Sequence, residues 1–208
     1  PRVKFGLVDR LLVAAHAEDI DTVLVLNKSD LSGFEALSER FAPYRALGYE
    51  VIGASALTGG GIEALEALVS EGLSVFIGHS GVGKSTMLNR LIPGADLATN
   101  PLSRSTGKGR HTTSVSTSHL VGDAWPGGGL VVDTPGIRTF GLHRIPVEDL
   151  GRYYPEFSPF LEGCHFRNCA HLNEPKCGVR EAVERGEVLK DRYARYCGIL
   201  ESVKAGEG

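Results

Sequence analysis

The chain has 208 residues, 42% of them hydrophobic and 23% charged, with a formal net charge of −3, a balance that excludes disordered, collagen-like and coiled-coil proteins. Its longest apolar runs, such as Leu11 to Ala15 and Val23 to Leu26, fall short of the roughly 18 residues that a membrane span needs. A slightly acidic chain also does not bind nucleic acid over its whole surface, so any RNA contact is local. Short apolar runs alternate with helical patterns, which predicts an α/β fold, a sheet of buried strands covered by helices. A helix over 7–17 precedes a strand from Thr22 to Leu26 that stops at Asn27. Ser32 and Glu35 predict a capping box for a helix carrying Phe34, Leu37 and Phe41, with Gly48 at its end. Val51 and Ile52 lead into Ser55-Ala56-Leu57, three glycines, and a helix with Ile62, Leu65 and Leu68 on one face. A strand from Leu73 to Ile77 feeds a glycine-rich turn and a helix through Met87, Leu88 and Leu91. From Leu97 to Gly122 there is no acidic residue, while Arg104, Lys108, Arg110, His111 and His119 are present, which predicts a cationic loop. The strand Leu130 to Val132 ends at Asp133, and from about Val147 the pattern becomes aromatic, cysteine-bearing and helical. A boundary is expected there, giving one domain over 1–146 and a second over 147–208.

Gly78-His79-Ser80-Gly81-Val82-Gly83-Lys84-Ser85 fits G-x-x-x-x-G-K-S, and Thr86 continues into the helix. A strand before and a helix after are the context this phosphate loop requires. Backbone N–H groups then curl around a polyphosphate, Lys84 reaches the β and γ phosphates, and the Ser85 hydroxyl ligates Mg²⁺. Asp133-Thr134-Pro135-Gly136 follows an apolar strand, so Asp133 holds Mg²⁺ directly or through water and the Gly136 N–H meets the γ-phosphate. Asn27-Lys28-Ser29-Asp30 selects the base. A carboxylate at Asp30 accepts from both N1–H and the 2-amino group of guanine, whereas adenine would leave it unpaired and repelled. The Lys28 stem covers the base, and Ser55-Ala56 supplies a backbone N–H to guanine O6. The spacing C-x4-C-x-H-x5-C over Cys164, Cys169, His171 and Cys177 offers four soft ligands, which closes a tetrahedral structural Zn²⁺ site. His165 competes with His171 for the fourth position. Cys197 stands alone on a helical stretch and reads as a small buried hydrophobe. Ile137 follows Gly136, where many small GTPases have a glutamine that orients water, so basal hydrolysis is expected to be slow.

The base-reading segments precede the phosphate loop and Asp133 to Gly136 comes last, an order that resembles the circularly permuted GTPases. Gly109-Arg110-His111-Thr112-Thr113 and the Cys/His tail are similar to the ribosome small-subunit-dependent members of that group, the RsgA/YjeQ family. The resemblance runs from about Asp9 to Tyr196. It implies a circularly permuted P-loop GTPase domain followed by a small helical zinc-binding domain, with His171 as the zinc ligand. It further implies hydrolysis of GTP to GDP and phosphate, stimulated on the small ribosomal subunit and its rRNA during late maturation. Thr112 or Thr113 is then the switch threonine, and His111 positions water or touches RNA. A monomer in the cytoplasm, without membrane attachment, is expected. Relatives of this type usually carry an N-terminal OB-fold and a first strand of the sheet, and both are expected to be missing from a chain opening at Pro1-Arg2-Val3-Lys4. Basic and acidic side chains balance between Gly151 and Gly208, so the tail is not a strongly cationic RNA clamp.

Overall fold

The valine- and leucine-rich runs become short parallel strands, as their β-branched side chains favour, but they are not covered on both faces as expected, since Leu73 and Val75 are exposed. The fold is seen in a computed structural model, which describes residues 3–92, 94, 95, 97, 117–120, 128–134 and 141–206, with the backbone alone at 117–120. Strand β1 (Val23–Asn27) pairs in parallel with β2 (Glu50–Ala54), Asn27 opposite Ala54. Strand β3 (Leu73–Phe76) pairs in parallel with β5 (Leu130–Asp133), Phe76 opposite Asp133, and β4 (Thr117–Leu120) runs antiparallel along the far side of β5. Among the described residues the two ladders are not hydrogen-bonded to each other. Strand β4 lies inside the stretch read as a loop. Its sequence, Thr-Ser-His-Leu, has no apolar run, and the pairing with β5 supplies what periodicity could not.

Helix α4 (Ile62–Val69) buries Ile62, Leu65 and Val69, whose spacing places them on one face. It packs with Met87, Leu88 and Leu91 of α5 (Lys84–Leu91) and with Val131 of β5 in one apolar cluster. Gly61 caps α4 at φ 71°, and a Cβ there would lie 2.2 Å from the Gly53 carbonyl oxygen, so only glycine fits. The expected capping box does not form. Gly33, at φ 84°, precedes α2 (Phe34–Glu39) without a side-chain cap. The predicted single helix also breaks, and α3 (Ala42–Ala46) starts afresh with Pro43 in its first turn, where the missing N–H costs nothing.

The chain divides into two units, one of Val23–Arg138 and the other of Arg2–Thr22 with Thr139–Gly208. Helix α1 (Phe5–Ala17) therefore belongs with the carboxy-terminal elements, whereas the expected division at 146/147 put it with the strands. The reason is chemical. The Asp9 carboxylate of α1 accepts from Arg192, and from Arg195 at 2.6 Å, both on α7 (Lys190–Lys204), while Arg192 also donates to Glu156 at 2.5 and 3.1 Å. Around this network Val13, Leu150, Tyr154, Phe157, Tyr196 and Leu200 form a second core. Ring centroids of Tyr154, Phe157 and Tyr196 lie 4.9–5.1 Å apart, and burying each such ring contributes roughly 2–3 kcal/mol. Two 3-10 segments (Val147–Tyr153 and Pro155–Gly163) and α6 (Gly178–Arg185) complete this unit. No helix among the described residues is long and apolar enough to cross a membrane.

Candidate nucleotide site and metal centre

In a parallel sheet the loops after the strands share one edge, and such edges bind ligands in open α/β folds. Here the loops after β1, β2 and β3 are tied together by one side chain. Asn27 Nδ2 donates to the Val82 carbonyl at 2.9 Å, and its Oδ1 accepts from the Lys28 N–H at 2.8 Å and the Ala56 N–H at 3.2 Å. Gly83, at φ 90°, presses against this amide, since a Cβ there would come within 2.4 Å of Asn27 Nδ2 and 3.9 Å of Lys28 Cε. Two motifs whose contacting residues lie 55 positions apart in the sequence are thus in direct contact. Asp30 is exposed, and its carboxylate accepts from the Ser55 hydroxyl, itself buried and accepting from Thr58 N–H at 3.1 Å. Ser55 contributes through its side chain, because its N–H is spent on the Gly60 carbonyl at 2.8 Å.

The loop from Gly78 to Gly83 carries its tight turns at Gly81 (φ 82°) and Gly83, and Lys84, Ser85 and Thr86 form the first turn of α5. Ser80 and Thr86 face solvent, and a ring nitrogen of His79 lies 2.9 Å from the Ser80 carbonyl. Lys84 Nζ is paired with the Asp133 carboxylate and the Thr134 carbonyl, and Thr134 Oγ1 donates to the Phe76 carbonyl at 2.9 Å. One cation and one anion face each other at the head of the phosphate loop. His111, Thr112, Thr113 and Gly136 lie outside the described residues.

In the second unit the ligand atoms of Cys164, Cys169, His171 and Cys177 all lie within 4.8 Å of one another. His171 Nδ1 is 3.5 Å from Cys164 Sγ and 3.4 Å from Cys177 Sγ, and those two sulfurs are 3.9 Å apart. A tetrahedron with Zn–S near 2.3 Å and Zn–N near 2.0–2.1 Å has edges of about 3.8 Å between sulfurs and about 3.5 Å between sulfur and nitrogen, so the donor set fits Zn²⁺. Burial pushes the Cys169 thiol up to about 12, while the N–H of His171 pulls the other way. A thiol so placed gives up its proton when a metal takes the sulfur. Burial lowers the His171 pKa, against a smaller opposing pull from Glu174, which favours the neutral imidazole a metal needs. His165 is exposed, with its ring edge-on to Phe166 at 4.8 Å, and stays outside the cluster. Cys197 is half-buried on α7 and also apart.

The family model described as RsgA GTPase matches residues 1–143. The chain belongs to the RsgA GTPase family. Among curated RsgA proteins, the small ribosomal subunit biogenesis GTPase RsgA of Chromohalobacter salexigens is 44% identical over 95% of this chain, and RsgA 1 of Vibrio vulnificus is 40% identical over 98%. The chain spans 58% and 57% of their lengths. The crystal structure of YjeQ from Thermotoga maritima superposes with a TM-score of 0.77 at 35% identity, covering 98% of this chain and 67% of that one. That of YloQ, described as a circularly permuted GTPase, gives 0.75 at 29% identity over 100% of this chain and 66% of that one. The fold is accordingly the circularly permuted GTPase arrangement, and the segments at Asn27 to Asp30 and Ser55 to Leu57 precede the glycine-rich loop at Gly78 to Ser85, as the sequence order indicated.

Three residues beside the Cys3His cluster carry no mark in the sequence. Gly151 leaves room for the His171 ring, since a Cβ would lie 2.7 Å from its Cδ2 and Nε2. Tyr193 donates its hydroxyl to the His171 carbonyl at 2.6 Å, and Tyr196 to that of Ala170 at 2.8 Å. Glycines and tyrosines recur along the chain, so no local signal marks these three.

Proposed function

We propose that this chain binds GTP with Mg²⁺, hydrolyses it to GDP and phosphate, and assists late maturation of the small ribosomal subunit, the role carried in the names of its relatives. The observation that carries the reading is the Asn27 bridge to Val82 beside a carboxylate at Asp30 that Ser55 holds in place. It supports a reading in which Asp30 is the acceptor for guanine and the loop beside it takes the phosphates, since an adenine reader has no use for that acceptor. In this reading the backbone from Gly78 to Thr86 wraps the phosphates, the Lys28 stem covers the base, and Ala56 offers its N–H to guanine O6. Lys84 leaves Asp133 for the β and γ phosphates, while Asp133 and Ser85 serve the Mg²⁺. The Lys84–Asp133 pair thus neutralises the site before nucleotide arrives, and on binding each of the two charges takes a partner of opposite sign. Thr112 or Thr113 acts as the switch threonine, His111 positions water or touches rRNA, and the Gly136 N–H meets the γ-phosphate. Cys164, Cys169, His171 and Cys177 hold one structural Zn²⁺. The partners are the small ribosomal subunit and its rRNA, met in the cytoplasm by a monomer.

The test is turnover of GTP and of ATP, with and without small subunits, for this chain and for Asp30→Ala. GTP is expected to be preferred roughly 10⁴-fold, stimulated by the subunit, and the preference to collapse in Asp30→Ala. Equal use of both nucleotides by the unaltered chain would sink the guanine assignment. Gly83→Ala places a methyl group against Asn27 at a backbone angle that side chains rarely adopt. Titration with a fluorescent GDP analogue should show at least about a tenfold loss of affinity, from about 1.4 kcal/mol or more of strain, with the circular dichroism spectrum retained.

A further inference from the structure

Only five residues separate His171 from Cys177 in the motif, and within them the backbone must turn sharply to bring two ligands together. His171 and Lys176 sit at φ 56° and 54°, a left-handed conformation that costs roughly 1–2 kcal/mol for a residue with a side chain. Neither helix nor strand covers this stretch, so its N–H groups need partners from elsewhere. A single side chain supplies three of them. Glu174 Oε1 accepts from the Ala170 N–H at 2.8 Å, and Oε2 accepts from those of Leu172 and Asn173 at 2.9 and 3.0 Å. The carbonyls of Ala170 and His171 are held on their other side by Tyr196 and Tyr193. The peptide unit after His171 is thereby fixed at both its N–H and C=O ends, and the one before it at its C=O.

We infer that Glu174 is the positioning residue of the Cys3His centre, fixing the loop that presents His171 Nδ1 to the three sulfurs. The inference rests on the zinc reading above. Glu174 does not belong to the ligand cluster, and both of its oxygens are occupied by backbone donors. A carboxylate suits this task and an amide does not. Three N–H groups converge on two acceptor oxygens, and glutamine would turn its own NH₂ toward one or two of those donors. Charge-assisted bonds of this kind are about twice as strong as neutral ones. The loop is thus ordered before the metal arrives, and the ordering cost is not taken from the binding free energy.

Zinc affinity of the full chain is measured by competition with a chromophoric chelator, alongside melting of the zinc-free and zinc-loaded forms. Glu174→Gln, which keeps the side-chain volume, is expected to lower zinc affinity 10–100-fold, the range found for partners that orient metal ligands. Glu174→Asp, which keeps the charge but shortens the reach, is expected to fall between it and the unaltered chain, and carries the test if the glutamine variant does not accumulate. The zinc-loaded form should lose more stability than the zinc-free form. Unchanged affinity with equal loss of stability in both forms makes Glu174 a merely structural residue and overturns the inference alone. An unaltered chain that takes up no tightly held zinc overturns the inference and the zinc reading together.

Discussion

Lys84→Ala is expected to lower GTP turnover by roughly 10²–10³-fold, the usual loss when one preorganised donor to a developing anion is removed. Two effects add. The β and γ phosphates lose their point cation, and Asp133 loses the ammonium group that neutralises it before nucleotide arrives. Asp133 is largely buried, its side chain 18% exposed, so it then opposes an incoming polyphosphate unless Mg²⁺ reaches it first. Nucleotide affinity should therefore fall and depend more steeply on Mg²⁺ concentration, which titration of fluorescent GDP at several Mg²⁺ levels will show. Lys84→Arg keeps the charge but not the compact head that fits the loop, and should not restore turnover. Turnover of Lys84→Ala equal to that of the unaltered chain would remove the lysine from the phosphate site.

Asp9→Ala is expected to destabilise the helical unit by about 3 kcal/mol, because it takes one carboxylate out of a buried network and leaves Arg192 and Arg195 short of the anion they share. Asp9 is fully buried and Arg192 is 4% exposed, and Arg195 shares the same carboxylate. For a unit of this size the loss corresponds to a drop in Tm on the order of 10 °C, readable by calorimetry or by aromatic circular dichroism from the Tyr154, Phe157 and Tyr196 cluster. Arg152→Ala is the contrast. It removes an exposed pair with Asp149, the Arg152 side chain being 66% exposed, and should change stability by less than about 1 kcal/mol. Equal melting of Asp9→Ala and Arg152→Ala would mean that α1 does not depend on this network for its place.

The residues that could be read directly share one property, which is that their partners are close in sequence or their chemistry is unusual. A glycine-rich turn between an apolar strand and a helix needs no distant partner to be recognised, and Gly78 to Ser85 is such a turn. Cys164, Cys169, His171 and Cys177 declare themselves because soft ligands at that spacing have few other uses. The buried positions of α5, and Ile62 and Leu65 of α4, followed from the 3.6-residue period, whereas Leu68, expected on the same face, is exposed and Val69 is buried instead. The capping box at Ser32 failed because Gly33 could begin the helix in a left-handed conformation, a local alternative that the Ser/Glu spacing does not exclude. Strand β4 escaped because a polar edge strand is specified by its neighbour more than by its own residues.

By itself, the sequence determined the α/β class, the order of the loops, the four side chains that come together in the Cys3His cluster and the residue types suited to guanine and phosphate, all of which depend on covalent spacing and side-chain chemistry. Tertiary structure decided that Asn27 clasps Val82, that Ser55 acts through its hydroxyl, and that Glu174 organises the loop around His171. It also decided that α1 packs with elements beyond the strands, through charges 183 residues apart. Such pairings bring together groups with no local pattern between them, and whether each charge is buried with a partner or left in solvent is settled only when the packed units form.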